Sequence, residues 1–474
     1  MGRRNKKPML LKQILITDIA FKGKSVARHD GKVIFVHKGV PGDICDILVF
    51  KKKRKYWEAK IEKTISYSKK RIKPKCEHFG TCGGCKWQNM NYQSQLEFKE
   101  KEVLNNLIKI GGVSLKKINT IIGSEDQYYY RNKMEFTFSN KRWLNSAEIK
   151  SKKEIKNKNS LGFHIPGMFD KVLDIKNCHL QKEPSNSIRL SVKKFAEKHN
   201  LTFFDLKEQK GLLRNLLVRI SSTNELMVLV QFFENNPKQI KFLLEHIKNS
   251  FSSVTSLLYT INQKANNTIY DQKIICYHGK DHITEKIDEL EFKIGAKTFF
   301  QTNIKQTKIL YQKTKELAKI KNSDVVYDLY TGTGTIAQYI AKDVKKVIGI
   351  DSVKEGIVAA KENTKKNNIE NCSFFTGDMK EIFSEDFIKA NDSPDVIITD
   401  PPRDGMHKKV VQQILKIQPK RIVYVSCNSA TQSRDLSILK EQYAVKNIQP
   451  VDMFPQTHHV ENILVLEHFT KNLQ

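Results

Sequence analysis

The stretch "DVVYDLYTGTGT" (residues 324–335) joins an apolar run to a glycine-containing loop, and it indicates the fold of the second half of the chain. The apolar residues are typical of a buried strand, and Gly332 and Gly334 would let a ligand approach the backbone where a helix begins. The loop lacks the third glycine of a dinucleotide-binding turn and the lysine of a phosphate-binding loop. By itself, this Gly-x-Gly loop identifies neither a ligand nor a reaction.

Strand and helix patterns alternate around this loop from about residue 301 onward. A helix is predicted over residues 304–320, and helices separate the strands that follow. Such alternation predicts an α/β fold with a doubly wound, Rossmann-like parallel sheet. The further strands are predicted at "KVIGID" (346–351), "CSFFTGD" (372–378), "DVIITD" (395–400) and "RIVYVSC" (421–427), with two more near 444–450 and 462–468.

Acidic residues stand where these strands end. Asp351 ends the strand after the glycine loop, where it can bind ribose hydroxyls, and Asp378 ends the next strand. The carboxyl ends of parallel strands meet at one edge of the sheet, where such folds bind their ligands. Carboxylates in these places suit an adenosyl ligand without phosphates, so S-adenosylmethionine fits better than NAD or ATP.

The chain before this region divides into two further predicted domains. Residues 1–70 contain strand-like runs separated by turns at Asp30-Gly31 and Pro41-Gly42-Asp43, which predict a small OB-like β-barrel. Residues 71–300 mix helix and strand patterns and predict an α+β central domain, followed by the Rossmann-like domain of residues 301–474.

Two local predictions concern the central domain. Apolar residues at helical spacing predict a helix over residues 93–110, which Gly111-Gly112 would end. The polar, lysine-rich stretch "LNSAEIKSKKEIKNKNS" (144–160) predicts an exposed loop.

The chain is strongly basic, with 82 Lys and Arg residues against 51 Asp and Glu residues and a formal net charge of +31. This excess favours a polyanionic partner, most simply RNA, although a lysine-rich genome explains part of it. The run "KKKRKYWEAK" (51–60) interleaves basic and aromatic residues on the predicted barrel, as RNA-binding faces do; a solvated hairpin is the alternative. No apolar run approaches a membrane span and no signal-peptide core is present, so we expect a cytoplasmic protein without a membrane partner.

The eight cysteines are not a disulfide framework in a reducing compartment. Cys76, Cys82 and Cys85 lie within ten residues, which indicates a metal site. With Cys178 as the fourth ligand, the spacing suits tetrahedral zinc and a four-iron cluster equally well. Three other cysteines are predicted to be packing residues: Cys45, Cys276 and Cys372.

Two later strand ends point to chemistry on a base. "ITDPPRDG" (398–405) places Asp400 before two prolines, which form a rigid corner able to offer oxygen atoms to a base; an ordinary turn is the alternative. "IVYVSCNSATQSRD" (422–435) ends the next strand at Cys427, which is either a packing residue or a nucleophile. A thiolate beside a methyl donor can add to carbon 6 of a pyrimidine, and carbon 5 then becomes nucleophilic enough to accept a methyl group.

Together these motifs resemble those of the RNA uracil-5-methyltransferase family, and the resemblance covers nearly the whole chain. The barrel is similar to a TRAM domain, and "CEHFGTCGGC" (76–85) with Cys178 resembles the [4Fe–4S] ligand set of the family's ribosomal-RNA branch. Two residues depart from the family's pattern: Ser429 replaces a proline, and Thr331 replaces a cysteine. The matching motifs are "FFQTN" (299–303), "DLYTGTGT" (328–335), "DPPRDG" (400–405), "VSCNSATQSRDL" (425–436) and "DMFPQTHHVE" (452–461).

The resemblance implies methylation of a uridine in RNA with S-adenosylmethionine. It implies Cys427 as the nucleophile and Glu461 as the base that removes the carbon-5 proton, although His458 or His459 could serve instead. Asp400 would lie between donor and uracil. The other implied donor contacts are Gln301, Tyr330, Asp351 and Asp378, with Thr335, Gly332 and Gly334 beside them. The implied RNA contacts are Arg131, Asn132 and Lys133, and also Phe299 and Phe300, for which core packing is an equal alternative.

The RNA class and two rival functions remain open on the sequence. The tRNA branch of the family generally lacks the barrel and the cluster, so the resemblance favours 23S ribosomal RNA over tRNA. A cytosine-5 or adenine-amino methylase is one rival, but the adenine enzymes need no cysteine and usually carry an aromatic residue where Arg403 stands. A non-catalytic RNA-binding factor would need neither Cys427 nor Glu461. We expect the uracil-5 enzyme, acting as a monomer.

Overall fold

The computed structural model describes residues 8–115, 117–151, 154–155 and 157–469. Over these residues the chain forms a small barrel, a central sheet, a two-stranded hairpin and a C-terminal sheet. None of the helices in the described ranges combines the length and the apolar character that crossing a lipid bilayer requires.

Five strands close the N-terminal barrel, as the sequence predicted. Their order around the barrel is β1-β2-β3-β5-β4, and alternate residues such as Ile16, Ile34 and Ile47 are buried in a single core. Cys45 is fully buried in the same core, which confirms its predicted packing role. The strands are β1 (Met9–Ala20), β2 (Lys24–His29), β3 (Lys32–His37), β4 (Ile44–Lys52) and β5 (Tyr56–Ser66), with a 3-10 helix (Phe21–Gly23) after β1.

Helix α1 (Tyr92–Lys109) agrees with the predicted helix over 93–110 within one residue at each end. Its residues Val103 and Leu107 are fully buried, as the helical pattern predicted. They share a core with residues of the C-terminal sheet, so this helix packs on the C-terminal domain.

A short helix, α2 (Ser146–Lys150), occupies part of the stretch predicted as an exposed loop over residues 144–160. The prediction is wrong here because two residues cap each other. The Asn145 N–H donates to a Glu148 carboxylate oxygen at 2.8 Å, and the Glu148 N–H donates to the Asn145 side chain at 2.9 Å. This reciprocal capping starts a helical turn.

The central domain is built on a seven-stranded sheet in the order β12-β11-β10-β9-β6-β7-β8. One face packs on two helices, and the other face lies over a cavity. The strands are β6 (Lys133–Ser139), β7 (Ser160–Ile165), β8 (Met168–Asp174), β9 (Leu213–Ile220), β10 (Leu226–Phe232), β11 (Val254–Ile261) and β12 (Ile275–Gly279), and the helices are α3 (Ser185–Lys198) and α4 (Pro237–Ser250).

An antiparallel hairpin follows the central sheet and leads into the C-terminal domain. Its strands contribute Ile287 and Phe292 to a core that also contains Val326 and Val423 of the C-terminal sheet. The hairpin strands are β13 (His282–Ile287) and β14 (Leu290–Gly295).

The C-terminal sheet has seven strands in the order β17-β16-β15-β18-β19-β21-β20. The first five run parallel, and β21 and β20 run antiparallel to their neighbours, which confirms the predicted α/β fold. The strands are β15 (Val325–Leu329), β16 (Lys346–Asp351), β17 (Cys372–Thr376), β18 (Val396–Thr399), β19 (Arg421–Ser426), β20 (Tyr443–Val451) and β21 (Glu461–His468). The helices are α5 (Ile304–Ala318), α6 (Thr335–Ile340), α7 (Lys354–Lys366), α8 (Met379–Ile382), α9 (Glu385–Asn391), α10 (Lys408–Ile417) and α11 (Ser429–Leu439), with a 3-10 helix (Ala341–Asp343) after α6.

The two remaining packing predictions for cysteines have different outcomes. Cys372 is partly buried and packs against the core of the C-terminal domain, as predicted. Cys276 is exposed, so its predicted packing role is wrong. It lies on β12, an edge strand of the central sheet, whose side chains are less covered than those of the inner strands.

Candidate active site

The carboxyl ends of β15, β16, β18 and β19 lie side by side at one edge of the C-terminal sheet. In the parallel ladders Leu329 pairs with Ile350 on one side and with Thr399 on the other, which aligns the strand ends. Asp400 directly follows β18, and Cys427 directly follows β19. Residues far apart in the sequence are therefore brought to one rim, where open α/β sheets bind ligands.

The loop after β15 turns at its two glycines. Gly332 and Gly334 have φ angles of +57° and +72°, a region that residues with a Cβ rarely adopt. A Cβ on Gly334 would also lie 2.7 Å from the ring of Phe374. The Gly332 N–H donates to an Asp351 carboxylate oxygen at 2.9 Å. The predicted ribose-binding carboxylate and the glycine loop thus form one unit.

Asp328, near the end of β15, is a candidate that the sequence analysis missed. One of its carboxylate oxygens accepts from the Thr331 hydroxyl at 2.5 Å and from the Ala337 N–H at 3.1 Å. The other oxygen is buried and unpaired among the described groups, and burial raises the pKa of Asp328 to about 7. An unpaired oxygen behind the glycine loop can accept a hydrogen bond from a bound ligand. Its only signal in the sequence was its place at the start of "DLYTGTGT".

The other predicted donor contacts on the C-terminal domain lie near this loop. Tyr330 is partly buried directly before the glycines, and the Thr335 hydroxyl lies 2.8 Å from the hydroxyl of Tyr311. Asp378 is exposed and caps α8, with its carboxylate 3.0 Å from the Lys380 ammonium. The hydrogen bond from Lys380 lowers the pKa of Asp378, so this carboxylate is charged.

Cys427 and Glu461 come next to each other in the sheet register. Ser426 pairs with Asn462 in the antiparallel β19–β21 ladder, so the next residues along the two strands are Cys427 and Glu461. Burial, together with the negative charges of Glu461 and Asp400, raises the pKa of the Cys427 thiol to about 12. The thiol therefore has two carboxyl groups as close neighbours.

The two carboxyl groups beside the thiol have raised pKa values. Burial raises the pKa of Asp400 to about 7, with help from the charge of Asp328. Burial also raises the pKa of Glu461 well above its ordinary value, and the charge of Asp400 contributes. Arg403 has the opposite effect, because its positive charge lowers the pKa values of both Glu461 and Cys427.

Arg403 is a second residue whose role the sequence analysis missed. Its backbone oxygen accepts hydrogen bonds from the Asn428 side chain at 2.9 Å and from the Thr431 hydroxyl at 3.1 Å. These bonds hold the proline corner against the start of α11, immediately after Cys427. The sequence placed this cation in a motif but could not show that it would lie beside the thiol.

The histidines that the sequence left open as alternative bases are partly buried next to each other. Their ring centroids are 4.1 Å apart. Burial lowers the pKa of His458 to about 3 and that of His459 to about 4, and nearby positive charges add to both shifts. Both rings are therefore neutral at pH 7 and are much weaker bases than an ordinary histidine.

Of the three predicted RNA contacts at the start of β6, two line a cavity and one is a buried structural residue. Asn132 is 8% exposed, and its side-chain amide donates to the Gln301 backbone oxygen at 3.0 Å. The Asn132 N–H also donates to the Thr302 oxygen at 2.8 Å. Asn132 thus fixes the segment that carries the predicted donor contact Gln301, while Arg131 and Lys133 line the cavity.

The two adjacent phenylalanines, both candidates for base stacking, lie in different environments. Phe300 is 4% exposed and packs in the core, with its ring centroid 5.7 Å from that of Phe292. The packing alternative therefore holds for Phe300, whose ring is not free to stack on a base. Phe299 is 68% exposed, and a base can stack on its ring.

The four predicted cluster cysteines line a single cavity of about 830 Å³ in the central domain. All four are free, partly buried thiols. Burial raises the pKa of Cys85 to about 12 and that of Cys178 to about 11, and neighbouring thiols add to both shifts. Within the described residues, however, no three Cys, His, Asp or Glu side chains are close enough together to hold a metal ion. The four cysteines line one cavity, but the coordination geometry of a metal site is not formed among the described residues.

The C-terminal sheet, its glycine loop and the acidic strand ends define an α/β enzyme of the methyltransferase class. The family described as tRNA (Uracil-5-)-methyltransferase matches residues 244–469, and the TRAM domain family matches residues 12–61. An uncharacterized RNA methyltransferase of Bacteroides thetaiotaomicron is 50% identical over 452 residues, which cover 95% of this chain and 100% of the relative. A second one, from Porphyromonas gingivalis, is 48% identical over 96% of this chain and 100% of the relative.

A solved structure resembles nearly the whole chain. It is the Pyrococcus abyssi tRNA (uracil-54, C5)-methyltransferase in complex with S-adenosyl-L-homocysteine, with a TM-score of 0.74 and 28% identity. The similarity covers 96% of this chain and 99% of that one. The chain therefore belongs to a family of RNA methyltransferases, and it is an S-adenosylmethionine-dependent RNA methyltransferase with an N-terminal TRAM domain and a C-terminal domain of the uracil-5-methyltransferase type.

Proposed function

We propose that this enzyme methylates carbon 5 of a uridine in 23S ribosomal RNA through a covalent bond between Cys427 and carbon 6. One observation carries the proposal: Cys427 and Glu461 are next to each other in the sheet register, at the same rim as the glycine loop and Asp400. Addition of a thiolate to carbon 6 makes carbon 5 nucleophilic, and a base must later remove the carbon-5 proton. The rim offers both groups.

S-adenosylmethionine would supply the methyl group and a positively charged sulfonium. Its adenosyl part would be held by Asp351, Asp378 and Tyr330, with the unpaired oxygen of Asp328 as a further acceptor. Gln301 and Thr335 would lie on the side of the rim nearer the reacting atoms. Asp400, whose pKa is raised to about 7, would lie between the donor and the uracil.

The first step requires ionisation of Cys427. Its thiol is protonated at neutral pH because its pKa is raised to about 12. Ionisation must therefore be coupled to the arrival of positive charge at the rim. Arg403 is the chain's own cation beside the thiol, and it is proposed to stabilise the thiolate that attacks carbon 6.

The last step requires a base, and Glu461 suits it better than either histidine. A carboxylate with a raised pKa binds a proton more strongly than an ordinary one, whereas the pKa values of about 3 and 4 make His458 and His459 weak bases. Glu461 would take the proton from carbon 5, and the electron pair of that bond would then expel the Cys427 thiolate from carbon 6. This restores the aromatic ring with its new methyl group.

The RNA target has a second candidate. The barrel and the cysteine motif favour 23S ribosomal RNA on the family pattern. The Pyrococcus abyssi enzyme, however, acts on tRNA by its name and aligns with 96% of this chain, so a barrel alone does not separate the two targets. A uridine in tRNA is therefore the alternative substrate.

We also propose that Cys76, Cys82, Cys85 and Cys178 hold a [4Fe–4S] cluster. The proposal rests on four free thiols around one cavity, in a protein whose reaction needs no electrons. A cluster there would tie the loop of residues 76–85 to the segment at Cys178. Its role would be structural, so no catalytic step depends on it.

A strain that lacks the gene for this enzyme provides unmethylated RNA with which the two candidate substrates, 23S rRNA and tRNA, can be distinguished. RNA from this strain is incubated with the pure enzyme and labelled S-adenosylmethionine, and the label is then mapped as 5-methyluridine in separated rRNA and tRNA. We expect the label in 23S rRNA. A label confined to tRNA would support the alternative substrate, and a label in 5-methylcytosine or methyladenine would reject the uracil-5 reaction.

A further inference from the structure

The central-domain cavity that the four cysteines line also has polar residues on its sheet side, and neither the methyl transfer, the packing of the sheet nor ligation by the thiols explains them. Cys427, Asp400 and Glu461 do not line it, so it is separate from the rim. The strand alternation of β6 and β9 sends Phe136, Leu216 and Val218 into the apolar core on the other face. Their neighbours Glu135, Asn215, Leu217 and Arg219 line the cavity.

Several of these cavity-facing residues are polar although they are almost completely buried. Asn215, Arg219 and Gln231 are 4%, 3% and 3% exposed. The Asn215 side-chain oxygen and the Arg219 Nε have no hydrogen-bond partner among the described groups. Burying unpaired polar atoms is unfavourable, so their retention indicates a ligand that pairs with them.

The chemistry of the lining specifies the kind of ligand. An unpaired acceptor on Asn215 and an unpaired donor on Arg219 match the edge of a nucleobase, which presents both donors and acceptors. A phosphate offers mainly acceptor oxygens, so by itself it would not pair with the Asn215 oxygen, and Glu135 also lines the cavity. The cations in the lining, which would suit a linking phosphodiester, are Arg131, Lys133, Arg219 and Lys297.

Two aromatic side chains add to this match. Phe299 and Tyr270 line the cavity and are 68% and 57% exposed. Recognition of single-stranded RNA combines stacking on such rings with hydrogen bonds to base edges. A volume of about 830 Å³ is also within the range of small-ligand sites.

One segment connects the cavity with the rim. Phe299 and Thr302 line the cavity, and the next residue, Asn303, donates from its side chain to the Met453 oxygen at 3.1 Å. Met453 lies in "DMFPQTHHVE", the loop that leads to Glu461. A nucleotide in the cavity would therefore lie close to the loop that leads to Glu461, the residue proposed to act on the target uridine.

We propose that this cavity binds the base of a second, unpaired nucleotide of the substrate RNA, near the target uridine, and that it contributes to sequence selectivity. The inference rests on the proposed function, since it assumes a uridine at the rim. Asn215 and Arg219 read the edge of the base, and Phe299 stacks on its face.

The test uses the full-length protein and a pool of single-stranded RNAs of about 15 nucleotides, near the largest site size of one OB fold. Each RNA carries a central uridine between randomised flanks, and the bound fraction is sequenced. Wild type is expected to enrich one base at a fixed distance from the uridine, and Asn215→Leu to lose this preference by about 10-fold. Asn215→Asp keeps an acceptor oxygen and changes only the amide nitrogen, which is bonded to Glu135 and Thr137, so it should keep the wild-type preference that Asn215→Leu loses.

Asn140→Leu is the matched control, because Asn140 also has an unpaired side-chain oxygen but lines a different cavity. It should keep the wild-type preference, and S-adenosylmethionine affinity should confirm that every variant is folded. An unchanged preference in Asn215→Leu would overturn the inference. Methyl incorporation into the same pool tests the proposed function separately, because base preference is measured by binding alone.

Discussion

The molecule contains two groups of cysteine thiols whose neighbours differ. At the rim, Cys427 is next in register to Glu461, and its neighbours are carboxyl groups and the Arg403 cation. In the central domain, Cys85 and Cys178 have other thiols as neighbours. Burial raises the pKa of the thiol in both places, but Cys427 has a carboxyl group next to it in register that can serve as a base, whereas other thiols add to the raised pKa values of Cys85 and Cys178.

The difference shows how one residue type acquires two functions. A thiol beside a cation and a base can be ionised, react once and be released again. Thiols that raise one another's pKa values are stabilised when a metal removes their protons and shares their charge. We therefore expect that removing a thiol abolishes chemistry at the rim and iron binding in the central domain.

The largest expected effect is that of Cys427→Ala. The variant should lose methyl transfer by about four orders of magnitude or more, because no other group at the rim can add to carbon 6. Its affinities for RNA and S-adenosylmethionine should stay within about twofold of wild type, since binding uses other residues. Labelled-methyl incorporation and filter binding measure the two quantities. Near-normal turnover would show that Cys427 is a packing residue.

Substitutions in the cysteine group should have the second-largest effect. Anaerobically purified wild type should be brown and contain about four irons, and Cys85→Ser or Cys178→Ser should lose most of that iron. Cys276→Ser is the control, because Cys276 is an exposed thiol that does not line the cavity. Stoichiometric zinc without iron in the wild type would replace the iron–sulfur assignment by a zinc site.

The raised pKa of Asp400 predicts a smaller effect, on stability. Its folded pKa is about 7 and its ordinary value is 3.8, so between these pH values the folded protein binds a proton that the unfolded chain does not. The free energy of unfolding therefore falls as the pH rises through this window. Asp400→Asn should lose activity yet be more stable than wild type at pH 8, by up to about 4 kcal/mol, with little difference near pH 3.

Asp378→Asn is the matched control in these denaturation curves. The pKa of Asp378 is lowered by its hydrogen bond from Lys380, so the sign is opposite and this substitution should not stabilise the protein at pH 8. If Asp400→Asn is no more stable than wild type at pH 8, burial of the charged Asp400 side chain does not destabilise the folded protein, and the raised pKa is contradicted.

The smallest effect is expected on the barrel. Lys51 is paired with Glu58 at 3.1 Å, and the Lys52 ammonium lies 4.8 Å from the ring of Trp57, whereas Lys53 and Arg54 are exposed between β4 and β5. Neutralising all four should reduce the salt slope of RNA affinity by about 2, as expected when a few phosphate contacts are lost. S-adenosylmethionine affinity should not change. An unchanged slope would mean that this segment is a solvated hairpin.

The sequence predicted the rim well because strand ends follow from simple periodicity. Once the strands before Asp351, Asp400 and Cys427 are recognised, parallel pairing brings them to one edge without further information. The two final strands near 444–450 and 462–468 were also predicted. The pairing of Ser426 with Asn462 was not predictable, because it depends on the antiparallel register of β21.

The environment of single side chains could not be predicted in the same way. Phe299 and Phe300 are identical neighbours in the sequence, and only the packing of Phe300 against Phe292 separates their roles. Asn132 looked like an RNA contact, but it is buried on the backbone of Gln301. In each case the deciding contact is one that the periodicity of strands and helices does not reveal.

Helix α1 gives the same lesson for polar residues. Its apolar spacing was recognised, but Lys99 is completely buried and pairs with the equally buried Asp452 at 2.6 Å. Gln95 donates to the Gln456 side chain at 3.1 Å and accepts from the Gln456 N–H at 3.0 Å. These contacts hold the loop before Glu461, and a search for apolar periodicity does not detect them.

The most direct test of the central claim is denaturing electrophoresis of Glu461→Gln after incubation with substrate RNA and labelled S-adenosylmethionine. Cys427 should still add to carbon 6 and carbon 5 should still be methylated, but without the base the thiolate cannot leave. We expect a protein–RNA species that survives denaturation and carries the labelled methyl, and that is absent from Cys427→Ala. Normal turnover by Glu461→Gln, with no trapped species, would contradict the assignment of Glu461, and a trapped species in His459→Gln instead would transfer that role to His459.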